Sequence, residues 1–119
     1  MYFYSISHRD LPIHQQAIQA AHAQHEYCRV YHCDVSTEHP TFVWLTVKNV
    51  NELRQLRYRL GRAYIKTASF TDVDIDPYSI SAISCMVDSD ERHIFEHLPL
   101  WNCYQKPKSF IKRLQYLFF

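Results

Sequence analysis

Apolar positions along the chain repeat with two different periods, and the switches between them mark out the elements. Tyr2 to Ser7 alternates aromatic with small residues and closes on His8-Arg9-Asp10, a strand pattern. Pro12 then suits the start of a helix expected to run to about His32. Ala17, Ala20, Ala21 and Ala23 lie in this helix, a small-residue stripe that lets its backbone approach a sheet closely. Residues 34–40 are polar and end at Pro40, which predicts a loop. Residues 41–47 are β-branched and aromatic throughout, the mark of a buried strand. Val50, Leu53, Leu56 and Leu60 form the apolar stripe of a second helix, with Asn49 or Asn51 as its cap and Gly61 to stop or bend it. Residues 63–69 and 79–85 predict two more strands joined by an acidic turn from Asp72 to Pro77, and residues 90–97 one or two helical turns.

This order predicts an α/β fold: a small, mixed, four-stranded sheet covered by helices. One domain spans residues 1–119, with its core at about 2–85 and a C-terminal extension at 86–119. The extension ends in an amphipathic helix, with Phe110, Ile111, Leu114, Leu117 and Phe118 on one face and Lys112, Arg113 and Gln115 opposite. Such a face is expected either to cover the sheet or to meet another molecule. The second case predicts a homodimer or higher homo-oligomer through residues 106–119.

Composition narrows the function classes. A single glycine excludes Walker-type and dinucleotide-type glycine loops, and no cofactor is called for. Cys28, Cys33, Cys85 and Cys103 follow no signal-type segment, so free thiols in the cytoplasm are expected. No apolar run is long enough for a membrane span. The formal net charge is only +1, but its distribution is uneven. Residues 54–66 hold four arginines and Lys66 without an acid, and the tail holds Lys106, Lys108, Lys112 and Arg113. Between them, residues 72–96 carry seven acids against Arg92. Two basic patches flanking an acidic band suit the orientation of one anionic ligand better than a general coat of RNA.

Candidate chemistry concentrates in the first helix. Gln15, Gln19 and His22 stand at i, i+4 and i+7 and share a face. They either line a site or form a solvated face, with His22 packed between helix and sheet in the second case. His25, Cys28 and His32 have zinc-ligand chemistry with Cys33 adjacent, but one helix supplies all the donors, so no metal is expected. Asp72, Asp74 and Asp76 lack the glycine and distant glutamate of a calcium loop and read as a solvated turn. Arg54 and Arg57 can pair on one helix edge, with Arg59 and Arg62 further round. They are either a solvated face or a contact to phosphate.

Asp10-Leu11-Pro12-Ile13 followed by Gln19-Ala20-Ala21-His22-Ala23 resembles the type 2 peptidyl-tRNA hydrolase family. The resemblance continues through Phe42 to Val47, Asn51-Glu52-Leu53, Leu60-Gly61 and Pro77 to Ile83, and covers residues 2 to about 85. Gln15-Gln16-Ala17 and Leu98-Pro99-Leu100 are most similar to small members from tailed phages and bacteria. The resemblance implies binding of the 3′ end of peptidyl-tRNA and hydrolysis of its ester bond. His22 would be the positioned imidazole, and Gln19 would orient substrate. Backbone N–H groups from His14 to Ala17 would hold an anion.

The departures from the family pattern are specific. Gln15 stands where active members have lysine, with His14 next to it as a partial substitute. Ser69 falls at the family's aspartate and Val73 at its threonine, unless a register shift brings Asp72, beside Thr71, into the site. Losing a charge-assisted donor at a transition state costs ~2.7–4 kcal/mol. A protein that keeps the cleft without the chemistry, and sequesters a nucleotide such as a host immune signal, is therefore the alternative expectation. If the chain is phage-encoded, that would take place in the host cytoplasm.

Overall fold

The computed structural model describes residues 1–33 and 39–102. Its elements are β1 (Tyr2–His8), α1 (Ile13–Tyr31), β2 (Thr41–Val47), α2 (Val50–Arg62), β3 (Thr67–Phe70) and β4 (Ala82–Val87), then a 3₁₀ segment at Ser89–Phe95. The expected mixed four-stranded sheet is present, with strand order β2-β1-β4-β3. β1 and β2 are parallel, whereas β4 runs antiparallel to both β1 and β3. The predicted helix at 106–119, and the oligomer contact assigned to it, lie outside the described residues. No helix among the described residues is long and apolar enough to cross a membrane.

The two helices cover opposite faces of the sheet. Adjacent residues of a strand point to opposite sides. Phe70 stacks on His22 of α1, while its neighbour Ser69 accepts a hydrogen bond from Arg57 of α2. Small residues set the α1 packing: Ala20 and Ala23 are buried, and the Ser5 hydroxyl donates directly to the Ala20 carbonyl. On the other face Leu53, Leu56 and Leu60 are fully buried, each contributing roughly 1.5–3 kcal/mol. Tyr4 stacks on Phe95 at 4.2 Å and accepts from the Arg92 guanidinium, which pins the 3₁₀ segment to that face.

Several boundaries differ from the sequence reading. Asn49 is the cap of α2, its side chain accepting from the Glu52 N–H at 3.0 Å. Gly61 does not stop the helix, which runs to Arg62; a Cβ at Gly61 would meet nothing within 4 Å. The chain turns instead at Tyr64, in the left-handed region (φ 59°) and almost wholly exposed. That turn consumes residues 63–66, so the expected strand at 63–69 shrinks to Thr67–Phe70. The strand expected at 79–85 is Ala82–Val87, because Tyr78 to Ser81 still belong to the acidic turn and its exit. Beyond the 3₁₀ segment, residues 98–101 run along the free edge of β2. Thr46 N–H donates to the Pro99 carbonyl and Trp101 N–H to the Trp44 carbonyl. This pairing covers an edge that would otherwise be open to another strand.

Candidate functional site

The amide-rich face of α1 meets the acidic turn beyond β3, and a polar cluster forms there. Gln19 is fully buried. Its Nε2 donates to Asp72 Oδ2 at 2.9 Å and to Gln15 Oε1 at 3.2 Å, using both amide hydrogens. Its Oε1 is buried without a hydrogen-bond partner among the described residues. His22, one turn further along α1, lies exposed with its ring stacked on Phe70 at 4.6 Å and 16°. The Gln19 donor and the Asp74 backbone N–H hold the Asp72 carboxyl below its ordinary range, and nearby His22 acts in the same direction. Asp72 is therefore held ionised beside the imidazole. Its loop is fixed by Ser81, whose hydroxyl accepts from the Asp72 N–H.

Gln15, Gln19, His22 and Asp72 thus come together, and the solvated-face reading does not hold for Gln19. Nor is His22 packed between helix and sheet: its ring is accessible, with Phe70 as a platform. Thr71, half-buried, lies between Phe70 and Asp72. His14 is exposed in the first turn of α1, where the Ile13 carbonyl accepts from the Trp101 indole at 3.3 Å.

Three residues grouped with this site by sequence lie elsewhere. Ser69 faces α2, because the strand alternation that turns Phe70 toward His22 turns Ser69 away. Asp72, beyond the end of β3, is free of that alternation. Arg57 is committed to Ser69 at 3.3 Å and Arg54 to Ser79 at 3.4 Å, both on the α2 side. Arg54 and Arg57 do share one edge of α2, lining a shallow cavity with Tyr58 and Arg62, and Arg54 also borders a second cavity with Arg59 and Arg9.

Phe70 was not anticipated as a site residue. Its signal was slight: a lone aromatic at the end of a strand, just before an acidic turn. His8 was also missed. It is buried, with Nδ1 unpartnered, and burial lowers its pKa from the ordinary value against the opposing pull of Asp10 and Asp76.

The cysteine and histidine donors at the end of α1 do not gather as a metal set. The Cys33 thiol donates to Cys28 at 3.0 Å, and burial together with that neighbour pushes the Cys28 thiol up to about 12. Among the described residues, the trio of potential ligands close enough to share an ion is Asp88, Asp90 and Glu91. Asp88 and Glu91 of that trio form the capping box of the 3₁₀ segment. Compared with known proteins, the chain matches no protein-family model and no curated sequence.

Proposed function

We propose that the chain is a peptidyl-tRNA hydrolase-like esterase that binds the 3′ end of a peptidyl-tRNA beside His22 and cleaves its ester bond. The observation that carries this reading is the Gln19–Asp72 hydrogen bond at 2.9 Å, which seats a carboxylate next to His22. An imidazole suits proton transfer near neutral pH, whereas a carboxylate held ionised by two donors suits orientation of a water or of the imidazole. In the reaction, water oxygen attacks the ester carbonyl as His22 takes its proton. The C–O bond to the ribose then breaks, and the proton passes to the ribose oxygen. Phe70 supports the imidazole from one side, and the buried Gln19 amide holds Asp72 in place.

Hydrolysis of an N-blocked aminoacyl-tRNA by the purified protein tests the proposal. The expected outcome is turnover that falls by about 100-fold or more in His22→Ala, as for removal of a general acid–base group. No turnover by the folded wild-type protein would overturn it. A second reading is capture of a nucleotide without catalysis, and one feature of the cluster weighs against catalysis. The cluster of Gln15, Gln19, His22 and Asp72 contains no lysine or arginine, and Gln15 Oε1 already accepts from Gln19. A folded but inactive protein supports that reading.

A further inference from the structure

We infer a second site, for a phosphomonoester of nucleotide size, at the carboxyl ends of β1 and β2 beside α2. A cavity of about 800 Å³ opens there, within the ~300–1,000 Å³ of small-molecule clefts. Its walls come from Arg9, Arg54, Tyr58 and Arg59, with His97 and Pro99 closing one side. This inference is independent of either reading of the His22 cluster.

Topology places the cavity where open α/β sheets bind ligands. β1 and β2 are adjacent and parallel, yet β1 leads into α1 on one face and β2 into α2 on the other. The carboxyl ends of two such strands flank a crevice that neither helix fills, a topological switch point. Arg9 directly follows β1, and Thr46 and Val47 end β2; all three line the cavity. Arg9 is held in place there: its backbone N–H donates to the Val47 carbonyl at 2.8 Å and its Nη1 to Thr46 Oγ1 at 3.1 Å. The 98–101 segment, paired with β2, fixes the far wall.

Charge identifies the ligand class. Three arginines and one glutamate line the cavity, an excess of two positive charges, with Arg9 bonded to Thr46 and Arg54 to Ser79 and Arg59 without a side-chain partner among the described residues. That carboxylate, Glu52, is occupied in accepting from the Lys48 N–H at 2.7 Å. A phosphomonoester carries about −1.5 to −2 at neutral pH and has three acceptor oxygens for such donors. Phosphodiesters carry one charge and match less well. Tyr58, 65% exposed, adds an aromatic wall on which a base can stack. The chain's own tail is a poor occupant, because residues 103–119 carry four cations and no acidic side chain.

Calorimetric titration of the full chain with 5′-AMP, adenosine and inorganic phosphate tests the site. The expected result is binding of 5′-AMP at least about tenfold tighter than adenosine, weakened about tenfold or more by Arg9→Ala and by Arg59→Ala. Tyr58→Ala should weaken 5′-AMP but leave phosphate unchanged, and His22→Ala should change neither. Equal affinity for adenosine and 5′-AMP would overturn the inference. So would binding that survives the double Arg9→Ala, Arg59→Ala variant, binding lost in His22→Ala, or no binding of 5′-AMP or phosphate at millimolar concentration. Competition with a short RNA then separates the sources of the same group. Displacement by a 5′-phosphorylated oligonucleotide but not its 5′-hydroxyl form points to an RNA end, and displacement by neither points to a free mononucleotide. Equal displacement by both would overturn terminal-phosphate recognition.

Discussion

The two faces of this sheet carry polar residues in opposite ways. On the α1 face, Gln19 is fully buried and is tied to Gln15 and Asp72, so each member of the cluster is placed by the others. On the α2 face, Arg54, Tyr58 and Arg59 project from a helix already anchored by Leu53, Leu56 and Leu60; Arg54 and Tyr58 add only long, exposed contacts to Ser79 and Arg62, and Arg59 none with another described side chain. The first arrangement gives precision at the cost of coupling: change one residue and its neighbours lose their positions. The second gives charge and reach, and its members act nearly independently. Function and stability are entangled on one face and separable on the other.

The largest expected break in that contrast is a gain. Gln15→Lys places a cation one turn before Gln19, on the same helix face and beside the ionised Asp72. If the ester-hydrolysis reading holds, aminoacyl-tRNA turnover should rise by about 100-fold, the reverse of losing such a donor. An unchanged rate would mean that charge at this position does not limit the reaction.

Next comes Gln19→Ala, which removes two hydrogen bonds and opens a gap under α1. Denaturant unfolding should show a loss of about 2 kcal/mol. A double-mutant cycle with Asp72→Asn should be clearly non-additive, because the two side chains are bonded directly. Additive effects would contradict the mutual placement argued for this face.

How much of this was legible beforehand depends on the period of the signal. The strand at 41–47 and the leucine stripe of α2 were readable because continuous β-branched residues and a 3.6-residue repeat leave little freedom. The alanines of α1 likewise foretold a close helix–sheet crossing. By contrast, the short β3 was misplaced because Tyr64 adopts a left-handed turn that its residue type does not favour, while Gly61 beside it stays helical. The exclusion of Ser69 from the His22 cluster followed from a strand register that no local pattern encodes. The arginine cavity was half visible as a basic run on α2. Its third arginine, Arg9, comes from 45 residues before Arg54, and only the parallel pairing of β1 with β2 brings it there.

A smaller effect is expected from His8, which points to neither ligand chemistry directly. Burial lowers its pKa below the ordinary 6.5, so the folded protein binds this proton less readily than the unfolded chain. Above about pH 6.5 both states are neutral at this residue and it has no influence. As pH falls from 6.5 toward the folded value, the unfolded chain takes up the proton first and stability is lost. Thermal melts should therefore show Tm declining between pH 7 and pH 5, with a shallower slope in His8→Gln. An equal slope in the variant would assign the acid sensitivity to other groups.

The smallest expected change is the one that sharpens the comparison most. Arg59 is exposed on α2 and makes no hydrogen bond or ion pair with another described side chain, and Arg9 is exposed with a single side-chain bond to Thr46. Substitution of Arg59 by alanine should shift the unfolding free energy by no more than about 0.5 kcal/mol. Alanine also has the better helix propensity, which offsets part of any lost packing of the arginine stem. If Arg59→Ala is silent in unfolding but 5′-AMP binding is lost, the residue serves a ligand. If stability falls by 2 kcal/mol or so, the guanidinium is structural and the contrast between the two faces fails. A neutral result on the arginine face beside a costly, coupled one at Gln19 would show that this fold keeps its charged contacts free of its core and places its amide cluster within it.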